Sequence, residues 1–406
     1  MFPLNFPPDF LWGTATSAYQ VEGGIQNDWS EAGIDAGQAC NHVQRYAEDI
    51  EQAAALGTNA FRLSLEWAKL EPEPGVWDSA AEAHYHEVFN QLEASGLTPM
   101  VTLFHFTLPL WLARRGGWLN PEILPAFERF AGRIATCFGK YVKYWVSVNE
   151  PVVYAFKSYE EGSWPPFQTE RRKALQVFLH LLQGHVLAVK QIRRQSPTAQ
   201  IGIAKNLTLL EPYRPWHPAD QAQSRFQNKI FNQAFIEALI TGVLKLWVPG
   251  AGKISLQLPP SDRGWLDFLG INYYTRFKVN AQGAHLLSPQ AVLSDLGWEI
   301  YPEGLLKMLR LADQWSGHLP LYITENGLAD ASDLQRGPFL LAHLRVLSQA
   351  LAEGLPIKGY FHWSLLDNFE WADGFEPRFG LLNAERQWRP SARLYQGLIQ
   401  AARQQR

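Results

Sequence analysis

With 406 residues, 47% of them hydrophobic and 18% charged, the chain has the apolar content of a large packed core and does not read as disordered. Its 36 basic and 39 acidic side chains leave a formal charge of −3, so there is no electrostatic case for nucleic acid or an anionic membrane as partner. Two cysteines, Cys40 and Cys137, make no disulfide framework and fit a reducing compartment. The opening stretch Met1-Phe2-Pro3-Leu4-Asn5-Phe6-Pro7-Pro8 has neither the basic nor the apolar region of a signal peptide. No apolar run approaches the length needed to cross a bilayer. The expectation is a cytoplasmic protein.

In chain order the pattern alternates strand and helix eight times. Strand-like runs fall at 10–18, 60–66, 98–105, 144–149, 201–206, 267–274, 321–325 and 357–364. Helical periods occupy 42–56, 80–95, 121–139, 171–194, 219–241, 302–316, 333–353 and 391–403. Several strands are near-continuous apolar runs, as expected when both faces are covered. Eight β-then-α units predict a single-domain (β/α)8 barrel, a doubly wound sheet being the weaker alternative. Such a barrel takes ~250 residues, so roughly 150 are left for loops, with insertions expected at 150–170, 207–218 and 276–298.

A barrel of this kind carries its chemistry at the C-terminal ends of its strands. Read in turn, those ends present Gln20, Arg62, His105, Asn149 with Glu150, Asn206, Asn272 with Tyr274, Glu325 and Trp363. Each alone is weak, because polar residues often close strands; their recurrence around one rim raises the expectation of a site. Two runs, Leu321-Tyr322-Ile323-Thr324-Glu325-Asn326-Gly327 and Ser147-Val148-Asn149-Glu150-Pro151, end a buried strand on a glutamate. Paired carboxylates on rigid elements are the arrangement that glycosidic bond cleavage needs. The 16 Trp and 14 Tyr would suit stacking on the apolar faces of sugar rings, beside their ordinary use as core filler.

The motifs together resemble glycoside hydrolase family 1, the retaining β-glucosidase and β-galactosidase family. They run from Phe10-Leu11-Trp12-Gly13-Thr14-Ala15-Thr16-Ser17-Ala18-Tyr19-Gln20, through His105 with Leu108-Pro109 and Asn149-Glu150-Pro151, to Gly270-Ile271-Asn272-Tyr273-Tyr274. Thr324-Glu325-Asn326-Gly327 and Trp363-Ser364-Leu365-Leu366-Asp367-Asn368-Phe369-Glu370-Trp371 complete the set. The resemblance implies a (β/α)8 barrel with Glu150 as acid/base and Glu325 as nucleophile. It implies Arg62 and Tyr274 beside the nucleophile and Asn272 supporting them from behind. Gln20, His105, Asn149, Glu370 and Trp371 would bind sugar hydroxyls, over Trp363 as ring platform. A β-glycoside or oligosaccharide is then the implied substrate, with no organic cofactor and no metal. His84-Tyr85-His86 points its two imidazoles apart on a helix and is not read as a metal pair.

The chain departs from the family pattern in three ways. Phe106 stands where a tryptophan is frequent, and the chain is short for the family. Val152 replaces a tryptophan that faces the leaving group, so Val152 and Trp164 are expected on a more open aglycone side. Glu370 would repel a phosphate, which predicts unphosphorylated substrates. The presence of Glu150 favours O-glycosides over thioglucosides. A transglycosylase on the same machinery, motivated by the open aglycone side, and a non-catalytic sugar-binding scaffold are the competing expectations. Oligomeric state stays open.

Overall fold

The computed structural model describes residues 5–404, so the first four residues of the stretch read for a signal peptide lie outside the described residues. Eight parallel strands close into a barrel. They are β1 (Leu11–Ala15), β2 (Ala60–Ser64), β3 (Thr98–Phe104), β4 (Tyr144–Asn149), β5 (Gln200–Asn206), β6 (Phe268–Asn272), β7 (Leu321–Asn326) and β8 (Ile357–Trp363). Sequential strands are neighbours throughout, and β1 pairs with β8, Leu11 opposite Gly359, to close the ring.

Alternation along each strand sorts side chains into two layers. Ala15, Ala60, Met100, Val146, Ala204, Phe268, Tyr322 and Phe361 fill the barrel interior. Neighbours of opposite parity, such as Ile201 and Ile203 on β5, pack outward in the layer beneath the helices. Those helices are α1 (His42–Ala55), α2 (Ser79–Ala94), α3 (Ile123–Phe138), α4 (Arg171–Gln195), α5 (Pro218–Asn228), α6 (Pro302–Ser316), α7 (Arg336–Ala352) and α8 (Pro390–Gln404). The expected helix at 219–241 is interrupted: α5 passes through a π-helical turn, Lys229–Gln233, before resuming at Ala234–Thr241. A single extra residue per turn hardly disturbs the apolar period, which is why the run reads as one helix.

Two small sheets were not foreseen. Val243–Val248 and Gly252–Gln257 form an antiparallel ribbon, and Leu209–Pro212, Arg276–Val279 and His285–Leu286 form a three-stranded sheet over the rim. The second lies within the insertions expected after 207 and 276, and the short helix Pro151–Tyr159 lies within the one after 150. Among the described residues no helix is long and apolar enough to cross a membrane.

Strand pairing is irregular at the rim. The β4–β5 register shifts between Val146 and Asn149, and β7 shifts against both neighbours beyond Ile323. Such irregularities re-aim side chains, and these fall at the ends carrying Asn149-Glu150 and Glu325.

Candidate active site

Glu325 is the penultimate residue of the fully buried β7, and both of its carboxylate oxygens are occupied. Arg62 Nη1, from β2, donates to Oε1 at 2.5 Å, and Tyr274, just beyond β6, donates its hydroxyl to Oε2 at 2.6 Å. Arg62 is itself fully buried, and its fork also reaches the Thr324 carbonyl at 3.0 Å and Asn149 Oδ1 at 2.8 Å. Both Glu325 oxygens therefore accept, one from a guanidinium and one from a hydroxyl. Burial, reinforced by the charge on Glu325, pushes the Tyr274 phenol well above its usual range, so it keeps the proton it donates.

Glu150 is held differently. Pro151 disfavours the right-handed helical region for the residue before it, and Glu150 adopts φ +42° as the cap of the helix Pro151–Tyr159. A non-glycine residue in that region is strained, and such strain concentrates at functional sites. Its Oε1 accepts from two neutral amides, Asn272 Nδ2 at 2.8 Å and Asn206 Nδ2 at 3.1 Å. Burial, and then the neighbouring charge of Glu325, raise its pKa to about 7, against the pull of both amides. Two glutamates thus share one mouth, one paired to a cation and the other kept out of water among neutral donors.

Asn272 joins the two. Its amide also donates to Asn149 Oδ1 at 3.1 Å, and its own Oδ1 accepts from Thr324 Oγ1 at 2.6 Å, one residue before Glu325. Asn149 Oδ1 accepts from both Arg62 and Asn272, so its Nδ2 donates to His105 Nε2 at 3.2 Å. That places the imidazole proton on Nδ1, a tautomer assigned from the hydrogen-bond network. Burial and the Arg62 charge hold His105 well below its ordinary pKa, hence neutral. Its Nδ1 is buried with no protein partner, which leaves one donor free for a ligand hydroxyl.

The wall opposite comes from the loop after β8. Trp363 donates its indole N–H to Glu370 Oε1 at 3.1 Å, and its ring lies 6.2 Å from His105 and nearly parallel to it. Trp371 also stacks on His105, at 6.0 Å. Gln20 is fully buried and fully engaged: its amide donates to the Phe369 carbonyl at 2.7 Å and to Asn368 at 3.1 Å, while Ser17 donates to its Oε1 at 2.6 Å. Gly327 admits this wall closely, for a Cβ there would sit 1.7 Å from the Trp363 carbonyl oxygen.

The rim residues expected from the sequence therefore converge, with one correction. Val152 is completely buried in the core and presents nothing to a leaving group. Trp164, partly buried, packs against Phe106 at 4.9 Å and Trp29 at 5.3 Å, extending the aromatic wall. Residues the sequence reading passed over include Thr324, which orients Asn272, and Lys205. The signal for Lys205 was present, a charged residue where strand parity calls for an aliphatic one. Among the described residues no group of three or more His, Cys, Asp and Glu side chains is placed to hold a metal ion.

Residues 3–404 match the family model described as Glycosyl hydrolase family 1. Beta-glucosidase A of Thermotoga maritima is 33% identical over 93% of each chain. The chain is also similar to a solved beta-glycosidase from Pyrococcus horikoshii, at 35% identity and a TM-score of 0.91, over 99% of this chain and 96% of the other. A Thermotoga maritima beta-glucosidase solved in complex with glucoimidazole superposes with a TM-score of 0.90 at 30% identity, over 98% and 99% of the two chains.

Proposed function

The chain belongs to glycosyl hydrolase family 1, and from that footing we propose that it is a retaining, exo-acting β-glycosidase for unphosphorylated β-glucosides, with β-galactosides and β-fucosides as further substrates. The observation that carries this reading is the unequal setting of the two glutamates. Glu325 is clamped by Arg62 and Tyr274, whereas Glu150 meets only neutral amides and has its pKa raised to about 7. Two carboxyl groups held so differently, one against a cation and the other among neutral donors, are suited to opposite roles.

In the first step Glu150 gives its proton to the glycosidic oxygen as the bond from that oxygen to the anomeric carbon breaks. The Glu325 carboxylate attacks the same carbon from the opposite face, forming a glycosyl ester and releasing the alcohol. Glu325 has then lost its negative charge, so the principal electrostatic force raising the Glu150 pKa is gone and Glu150 is free to act as a base. It takes a proton from water, whose oxygen attacks the anomeric carbon and frees Glu325. Two inversions return the original configuration.

Asn149 and His105 are suited to the 2- and 3-hydroxyls, where a buried polar network without its ligand would be left unpaired. Glu370, steadied by the Trp363 indole and flanked by Gln20, suits the hydroxyls at the far side of the ring, with Trp363 beneath it and Trp371 at its edge. A 6-phosphate would have to be buried beside the Glu370 carboxyl, whose pKa burial already holds well above the usual range and which offers it no positive charge, and this supports unphosphorylated sugars. The transglycosylase reading, which drew on the missing tryptophan at Val152, is not favoured beside relatives named beta-glucosidase.

The test is the anomer released by the native enzyme. Proton NMR of early turnover on an aryl β-glucoside should show β-glucose first, with α-glucose arising only by mutarotation. Initial release of α-glucose would refute the role given to Glu325.

A further inference from the structure

Lys205 is the penultimate residue of β5 and is completely buried. It has the outward parity of Ile201 and Ile203, where every other requirement of the layer is apolar. Its ammonium lies 4.7 Å from the centre of the Phe231 ring and donates to the Asn206 carbonyl oxygen at 2.6 Å. Among the described residues no carboxylate pairs with it directly, and the charge that acts on it is that of Glu150. A buried cation without a direct counterion is costly, and a methionine or leucine would fill this position at no such cost.

The surroundings explain its retention. Asn206 is the residue whose side-chain amide donates to Glu150 Oε1, and its Oδ1 accepts from Thr208 Oγ1 at 2.9 Å. Thr208 is in turn fixed at both backbone polar atoms by Asn232, which sits on the π-helical turn of α5 together with Phe231. One continuous assembly therefore runs from that turn, through Lys205 and Asn206, to the Glu150 carboxyl. We propose that Lys205 is a positioning residue for this acid: its buried ammonium, behind Asn206, favours the ionised form of Glu150 and so sets how readily it gives up its proton. The proposal rests on the acid/base role of Glu150.

Every other charged neighbour pulls differently. Glu150 is faced by Glu325 from β7, whose charge opposes its ionisation, by the phenol of Tyr274 beyond β6, and by Glu370 from the loop after β8, whose own pKa burial holds well above the usual carboxylate range. From the π-helical turn Lys205 is faced by the uncharged Phe231 ring, while Lys229 on that turn is already paired with Glu237. Burial lowers the Lys205 pKa to about 7, so it carries its proton below neutrality and titrates in the same window as Glu150. Lys205 thereby offsets part of what burial and Glu325 do to Glu150. It keeps the acid from becoming too weak in the first step and favours the carboxylate in the second.

The experiment is the pH profile of kcat/KM for a phenyl β-glycoside, whose poor leaving group needs the acid. Lys205→Gln and Lys205→Met should move the basic limb up, and Lys205→Arg, which keeps its charge throughout, should hold it at or below the native position. A purely structural role would lower activity at all pH values, and thermal stability, without moving the limb. An unmoved limb in the neutral variants overturns the proposal. Should these variants fail to fold, NMR titration of lysine side chains in Glu150→Gln decides: Lys205 should titrate at lower pH than in the native protein, and an unchanged midpoint overturns it. The underlying reading fails separately, if Glu150→Gln keeps the native basic limb on the phenyl glycoside.

Discussion

Asn272→Ala removes the strongest hydrogen bond that favours the Glu150 carboxylate, the 2.8 Å contact from Asn272 Nδ2. A hydrogen bond to a charged group contributes about 1.5–3 kcal/mol, which is about 1–2 pK units. The sign follows from the role: Glu150 must be protonated to donate, so kcat/KM falls as pH rises through its pKa. Starting from about 7, the basic limb in the variant should move up, to between about 8 and 9. The same substitution strands the buried Thr324 hydroxyl that donates to Asn272 Oδ1, so stability should fall by about 1–3 kcal/mol. The assay is kcat/KM from pH 4 to 10 on a phenyl β-glucoside, with urea unfolding at pH 6 alongside. A limb that stays put, or moves down, would falsify the electrostatic account of Glu150.

Two other outcomes follow from the same geometry. Glu150 has a folded pKa of about 7 against an ordinary 4.5, so ionising it opposes folding. That penalty is absent below about pH 4.5 and grows to about 3 kcal/mol once pH passes 7. Glu150→Gln should therefore match the native protein in urea unfolding at pH 4 and exceed its stability at pH 8; equal stability at both values would contradict the raised pKa. At Gly327 a methyl group would collide with the Trp363 carbonyl, backbone against side chain with no flexible end to yield. Gly327→Ala should displace Trp363, lowering both thermal stability and affinity for a glucose-like inhibitor. Calorimetric binding at native strength would show that the wall tolerates the shift.

The barrel was legible because its strands are apolar runs of near-uniform length, and burial on both faces leaves little room for another reading. Their limits were less so. The run at 10–18 contracts to Leu11–Ala15, since Ala18–Val21 turns into a short helix that brings Gln20 to the rim. The ribbon at Val243–Val248 alternates buried and exposed residues, but its half-exposed face carries Lys245 and Trp247 and so resembles a loop in composition. The glutamates were legible from their place at strand ends together with Asn-Glu-Pro and Thr-Glu-Asn-Gly. What surrounds them was less so, because hydrogen bonds such as Thr324 to Asn272 and Asn206 to Glu150 link residues 52 and 56 positions apart. Val152 shows the limit most clearly. Its place two residues after Glu150 pointed to the cleft, whereas on the short helix Pro151–Tyr159 it packs in the core, a placement that strand and helix patterns do not record.

The central claim is that Glu325 attacks the anomeric carbon while Glu150 manages the proton, and chemical rescue addresses it directly. Glu325→Gly should be inactive on 2,4-dinitrophenyl β-glucoside, and added azide should restore turnover by occupying the space of the lost carboxylate. The product should be α-glucosyl azide, inverted because a single displacement replaces two. Restored turnover that yields the β-azide, or full activity without azide, would contradict the account.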